Sequence, residues 1–516
     1  VPLRDCRSVS LVAIAGLIAV ALIGTFRALW TFSGFSMTGD ALLYGELARH
    51  LAAGEGFVSA FVYPVSLAYP SLHTIPQPHV LYHPAYPALL AAVFRLAGTH
   101  DLVLVLANTL LAWGLLVCVF CLARRLFGMS VACAATAAMA LDTTLASNVR
   151  NSGTEVLAML VVTAVAVVLA SSPGRWSGAL AGVLLGAAYL TRPNLLLLLP
   201  LAAAALWRMG ARVAILPLLG GALLVIAPWV VRGWLVMGQP FFSLYTVANI
   251  AWEMPSFPGM IATYGTLAPR GLGVMVTEYR GELLGKLGTN LLYYARQAVF
   301  TVNPVAVVAF VLGLVLWRRR ARAAPSPANR ALGEWVAASG VLTVILASLL
   351  AREPRYLAPI APVIVVLGVG WTLAAAKSTG RRALSVVAAV AMLALPIAGT
   401  TRDLLQLRGA EAMSRWHDPN LAELASLTRA TDVIVTDIGR GVTWYTERKT
   451  VQAPIDRATL ERIATIVPVT AIYLSSQAAT RWPGMYGAAL DVGTYVPKEF
   501  ALARSFPDGA RLWRKP

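Results

Sequence analysis

The chain alternates between long apolar runs and short polar gaps. Runs near 11–30, 102–123, 130–148, 154–170, 213–231, 302–317, 334–351, 357–376 and 383–399 approach the roughly 20 helical residues that cross a bilayer. Two shorter runs, near 178–191 and 194–207, meet at Arg192-Pro193. Proline there removes an amide donor and disfavours helix in the residue before it. The runs are continuous rather than alternating, which excludes a closed barrel. The pattern predicts an all-α polytopic membrane protein of about eleven spans.

Two long polar stretches interrupt the spans, 31–101 and 238–298, and both are read as external loops. In the first, Leu43, Leu47 and Leu51 repeat every four residues while Glu46, Arg49 and His50 take the other face. This predicts a helix from Asp40 to Ala52, lying in the interface plane and ended by Gly54 and Gly56. Tyr86 to Leu96 is too short to span and reads as a second surface or re-entrant helix. From about Thr400 the apolar runs shorten and acids return. Asp432 to Thr436 and Val469 to Ser475 read as strands, and Asp456 to Ile466 as a helix. The expected organisation is a transmembrane unit over 1–399 and a small external α/β domain over 400–516.

Composition agrees. Hydrophobic residues make up 58% of the chain and charged residues 13%, against about 25% in a soluble protein. The net charge of +18 does not indicate nucleic acid, because of where the cations fall. Arg4 and Arg7, Arg124 and Arg125, Arg175, Arg208 and Arg212, Arg318 to Arg322, and Lys377 to Arg382 occupy alternate gaps. That is the positive-inside pattern, with the N-terminus cytoplasmic and the C-terminal domain outside. The run from Leu11 to Trp30 is too long for a cleaved signal and reads as a retained span. Residues 318–330 read as a cytoplasmic linker. Cys6, Cys118, Cys121 and Cys133 lie in or beside early spans and read as small buried hydrophobes.

Five arginines are not explained by topology: Arg150, Arg192, Arg232, Arg352 and Arg355. Arg352-Glu-Pro-Arg355 stands where a span emerges, and two guanidiniums there suit a phosphate. Asp40 sits just past the first span, as a helix cap, a reactive carboxylate, or both. Glu155 stands at another outer helix mouth, where it can serve the helix dipole or a site. Asp142 falls inside a span and needs a partner or water. His50, His73, His79, His83 and His100 cluster in or beside the first loop. The intervals between His73, His79 and His83 are irregular for metal ligation, so hydrogen bonding to a sugar or phosphate, or plain interfacial placement, is the favoured reading.

Asp40-Ala-Leu-Leu-Tyr44, Ala48-Arg-His-Leu-Ala-Ala-Gly-Glu-Gly56, His83-Pro-Ala-Tyr-Pro-Ala-Leu-Leu90 and Phe94-Arg-Leu-Ala-Gly98 follow one another in the first loop. Ala123-Arg-Arg-Leu-Phe-Gly128, Ser152-Gly-Thr-Glu155, Leu190-Thr-Arg-Pro193 and Arg355-Tyr-Leu-Ala-Pro359 come next. The segment from Asp437 through Trp444-Tyr445 to Arg448 closes the series. This ordered set resembles the protein O-mannosyltransferase and aminoarabinose-transferase superfamily of GT-C fold, polyprenyl-phosphate-sugar-dependent glycosyltransferases. Two departures stand out. Many relatives carry two acids where this chain has Gly39-Asp40, and Pro-Pro where it has His83-Pro84-Ala85.

The resemblance implies inverting transfer from a polyprenyl-phosphate-linked sugar donor to an acceptor hydroxyl on a lipid, glycan or protein. The setting is the outer face of a bacterial cytoplasmic membrane. Asp40 would be the catalytic base and Glu155 a second, positioning acid. Arg355, Arg352 and Arg192 would bind the phosphate. Tyr44, Tyr82, His83 and Tyr86 would face the sugar or acceptor. The reading requires no cofactor and leaves a divalent metal open. A lipid-linked sugar transporter or flippase, or a ligase using lipid-diphosphate donors, is the alternative.

Overall fold

The computed structural model describes residues 37, 39–171, 174–267, 271–319, 327–378, 418–478 and 492–516, with scattered positions over 16–26 and 387–401. Most of the spans expected near 11–30 and 383–399, and most of the linker expected over 318–330, lie outside the described residues.

Among the described residues, Asp101–Phe127, Arg212–Met237, Ala331–Ser348 and Pro354–Ala374 are long and apolar enough to cross a membrane. Met129–Ala140 and Thr143–Asn151, bent by 51°, form a fifth if taken as one span. Glu155–Leu169, Pro193–Arg208 and Pro304–Val315 are apolar but shorter. Two of the eleven expected spans lie mostly outside the described residues, and polar caps and prolines divide some of the other apolar runs. Asp142 ends one helix and caps the next, its carboxylate accepting from the Leu145 amide at 2.8 Å. Ser152 adopts a left-handed φ of 48° and breaks the chain again before Glu155.

Small residues set the closest helix crossing. Gly178, Gly182 and Gly186 recur every four residues on the Arg175–Thr191 helix and face Ile215–Met237. A Cβ at Gly182 would lie 2.0 Å from the Leu218 carbonyl, so only glycine permits this approach.

The predicted helix near Asp40 runs from Gly39 to Ala52. It does not have one wet face. Leu43 and Leu47 are buried, and so is Glu46, which takes the Ser59 hydroxyl at 3.0 Å and the Ala60 amide at 2.6 Å. The Ala85–Ala97 and Gly439–Thr446 helices cover it. The cysteine expectation also changes. Cys118 is half-buried and Cys121 exposed on the Asp101–Phe127 helix, on an apolar exterior shared with Leu110 and Val117 that suits lipid.

Eight short strands are present among the described residues. β1 (Val58–Ser59) pairs antiparallel with β3 (Gln77–Pro78). The other six are β2 (Phe61–Val62), β4 (Val433–Thr436), β5 (Lys449–Gln452), β6 (Val469–Leu474), β7 (Ala501–Ser505) and β8 (Arg511–Arg514). They form one sheet in the order β2-β5-β4-β6-β8-β7. The β2, β5, β4 and β6 neighbours run parallel, and β8 and β7 are added antiparallel. All four residues of β4 are buried, as expected of a central parallel strand. Strand β2 comes from the first loop, so the sheet is shared between distant parts of the chain. The hydrophobic core is shared too: Leu104 and Leu115 belong to the same buried cluster as Ile434, Trp444 and Leu512.

Candidate active site

Charged side chains collect at the broken ends of helices. Asp40 lies in the first turn of the Gly39–Ala52 helix, and Glu155 opens the Glu155–Leu169 helix. Arg192 is forced into extended backbone (φ −147°, ψ 121°) by Pro193 and ends the Arg175–Thr191 helix. Arg355 lies in the 3-10 turn Pro354–Ile360, which opens at Pro354. Helix ends leave backbone groups unsatisfied, so polar side chains converge on them at low cost.

The result is a row of alternating charge. Arg192 donates to Glu155, and its Nε reaches the Thr154 hydroxyl at 2.9 Å. Glu155 Oε1 lies 3.5 Å from Arg355 Nη1. That same Nη1 donates to Asp40 Oδ2 at 2.9 Å. Asp40 Oδ1 accepts from Arg440 Nη1 at 2.7 Å and from the Tyr82 hydroxyl at 3.1 Å. Arg440 also donates to the Tyr63 hydroxyl. Glu353 stands 3.4 Å from Arg355 Nε at the wetter end.

Burial pushes the Asp40 carboxyl up, but Arg355 and Arg440 outweigh it and hold it well below the usual carboxylate range. Asp40 is therefore ionised at any working pH. Burial and then the Asp40 charge push the Tyr44 and Tyr82 phenols far above their ordinary value, so both stay neutral.

The row borders a cavity of about 260 Å³, many times the space one water needs. Asp40, Tyr44, Tyr82, His83, Glu155, Arg192 and Arg355 line it. Leu197, Ile250, Leu346, Leu349 and Leu350 are among the apolar residues that line it. Tyr245 and Tyr356 line it as well, their hydroxyls 3.1 Å apart. His83 sits edge-on to Tyr189 and tilted to Trp229, with ring centroids at 5.2 Å and 5.5 Å. Burial pulls its pKa down to about 4, so it meets the cavity as a neutral imidazole.

Two residues named from sequence are elsewhere. Arg352 does not line the cavity. Its Nε donates to Asn290 at 2.8 Å, its backbone amide to Glu253 at 3.0 Å, and its guanidinium stacks over Tyr293. Tyr86 is fully buried behind Tyr44, with its hydroxyl on the Ser152 carbonyl at 3.0 Å. Tyr86 therefore offers no face to a ligand.

The histidines do not converge. His73 bonds the Leu67 carbonyl, His79 accepts from the Tyr82 amide at 3.0 Å, and His83 has aromatic neighbours. No group of three or more His, Cys, Asp or Glu is placed to hold a metal among the described residues.

Arg440, Tyr63 and Tyr245 were not singled out from sequence. Arg440 follows β4 in Gly439-Arg440-Gly441, a cation with no local pattern to mark it.

Residues 76–232 match the family model of dolichyl-phosphate-mannose-protein mannosyltransferase. A sequence comparison with curated proteins finds no match. Among solved structures, the chain is similar to ArnT from Cupriavidus metallidurans bound to undecaprenyl phosphate. The TM-score is 0.61 at 13% identity, covering 98% of both chains. It is equally similar to the Archaeoglobus fulgidus oligosaccharyltransferase in complex with Zn and sulfate, with a TM-score of 0.61 at 13% identity over 97% of this chain and 73% of that one. The archaeal oligosaccharyltransferase AglB, in complex with an inhibitory peptide and a dolichol-phosphate, gives a TM-score of 0.53 at 12% identity over 98% and 74%. In fold over nearly its whole length, and in sequence over residues 76–232, the chain resembles the GT-C glycosyltransferases of the protein O-mannosyltransferase and aminoarabinose-transferase superfamily.

Proposed function

We propose that the protein is an inverting membrane glycosyltransferase. It moves a sugar from a polyprenyl-phosphate donor to an acceptor hydroxyl at the outer face of a bacterial cytoplasmic membrane. One observation carries this reading: a guanidinium–carboxylate row and a set of aliphatic side chains line the same cavity. A polyprenyl-phosphate sugar has the matching halves, an anionic phosphodiester and a hydrocarbon tail. The solved relatives with undecaprenyl phosphate and dolichol-phosphate support the same ligand class.

The acceptor oxygen attacks the anomeric carbon from the face opposite the phosphate. The bond from that carbon to the phosphate oxygen breaks, and charge grows on the leaving prenyl phosphate. Arg355 and Arg192 supply fixed donors where that charge develops. Asp40 takes the hydroxyl proton. A carboxylate held this low is a weak base, so the proton leaves late, after the new bond is well advanced. Arg355 is shared between Asp40 and Glu155. A phosphate entering the cavity competes for it and frees one Asp40 oxygen for the acceptor.

The test is transfer by the purified protein in lipid nanodiscs, with a polyprenyl-phosphate sugar and no membrane gradient. Asp40→Asn should lower transfer by about 10²–10⁴, measured on the folded fraction. An active Asp40→Asn enzyme removes Asp40 as the base. Transfer from lipid diphosphate alone moves the reading to a ligase.

A further inference from the structure

Asp40 has two guanidinium partners, one on each carboxylate oxygen. Arg355 lines the cavity, whereas Arg440 does not. Arg440 reaches Asp40 from behind, with only 9% of its side chain exposed. Its two terminal nitrogens bridge Asp40 Oδ1 and the Tyr63 hydroxyl, with Tyr82 at 3.4 Å. Phe61 and Tyr63 place their rings 5.8 Å and 5.6 Å from its guanidinium carbon. One carboxylate oxygen is therefore fastened to protein, and the other is shared with a cation that faces the ligand space.

The helix that carries Arg440, Gly439–Thr446, is fixed against the helix that carries Asp40. Arg49 donates to the Thr443 and Trp444 carbonyls, both at 3.1 Å. Asp101 takes the Trp444 indole and the Tyr445 hydroxyl, both at 2.7 Å. Gly45 lies under Trp444, where a Cβ would come within 2.8 Å of the indole. At the other end, β2 joins the sheet beside β5. The α/β region is thus fastened at both ends of the contact.

We propose that Arg440 is a positioning residue for transfer: the α/β region supplies the cation that fixes the Asp40 carboxylate, and the site is complete only when the two helices are docked. This rests on Asp40 acting as the base. Arg440 acts through Asp40 and not on substrate, because Asp40 and Tyr82 stand between it and the cavity.

Steady-state kinetics on the full-length protein with a polyprenyl-phosphate sugar test this. Arg440→Gln should lower kcat about a hundredfold, the cost of misplacing a reacting group, with donor KM within about twofold of parental. Arg440→Lys keeps the charge but not the fork, and should recover part of the loss in kcat at unchanged KM. Arg49→Gln loosens the same helix contact without touching Asp40, and should lower the thermal midpoint while lowering kcat much less than Arg440→Gln does. The proposal is overturned if Arg440→Gln, or Arg440→Lys where the glutamine variant does not fold, retains parental kcat. It is also overturned if the loss falls on KM, or if Arg49→Gln lowers kcat equally. Where Asp40→Asn is inactive and Arg440→Gln is fully active, only this inference fails. Where Asp40→Asn is active, the base assignment fails and takes this inference with it.

Discussion

Arg352 and Arg355 stand three residues apart, one before the Pro354–Ile360 turn and one within it, and do different work. Arg355 meets two carboxylates that line a cavity. Arg352 meets an amide side chain, an aromatic ring and, through its backbone, Glu253. Around Arg352 the bonds all tie chain to chain. Asn290 donates to the Leu350 carbonyl at 3.0 Å, and the Tyr294 hydroxyl reaches the Ala351 carbonyl. Nearby, Lys286 holds the Asn249 and Ile250 carbonyls at 3.1 Å and 2.9 Å. The cations are equivalent in sequence, but their partners decide their use. Carboxylates can release a guanidinium to an incoming anion, whereas a bonded turn has no such exchange to offer.

The largest expected effect separates these two arginines. Arg355→Gln should lower transfer by about 10²–10³, the usual cost of one donor to developing charge. Arg352→Gln should leave kcat within a few-fold and lower stability by about 1 kcal/mol, read as a fall in thermal midpoint. Equal losses of transfer in both variants would break the comparison.

The pH dependence of stability comes next. Burial, then Arg232 and Arg440, pulls His79 down to about 3, and burial pulls His83 to about 4. Unfolded histidine titrates near pH 6.5. Below that pH the unfolded chain binds protons that the folded chain refuses, so stability falls as pH drops. Each histidine should cost about 2 kcal/mol between roughly pH 7 and pH 5. His79→Gln keeps an acceptor for the Tyr82 amide and should flatten the slope of thermal midpoint against pH. An unchanged slope would mean that His79 is not held neutral.

The smallest effect is at Tyr86. Tyr86→Phe removes one buried hydrogen bond, costing about 1 kcal/mol of stability, and should leave donor KM unchanged. A raised KM would return Tyr86 to the ligand.

Much of this site was legible in the sequence, for a local reason. Asp40, Glu155, Arg192 and Arg355 each stand beside a visible break: Gly39, Ser152-Gly153, Pro193 and Pro354. A break exposes unsatisfied backbone, and a charged residue beside it draws notice. Arg440 carried no such mark, since its partner lies 400 positions away and only the docking of two helices joins them. Arg352 and Tyr86 carried the right chemistry, but local sequence does not record which way a side chain turns from a 3-10 turn or a helix. Hydropathy does not register the caps that divide an apolar run, such as Asp142 between Met129–Ala140 and Thr143–Asn151. The shared sheet was hidden because β2 is two residues long.

The most direct measurement is the position of a polyprenyl phosphate in a structure of the complex. The account predicts its phosphate within hydrogen-bond distance of Arg355 and Arg192, its chain along Leu197, Leu346 and Leu350, and Asp40 still bonded to Arg440 but no longer to Arg355. A phosphate bound elsewhere, with the Asp40–Arg355 pair intact, would contradict it.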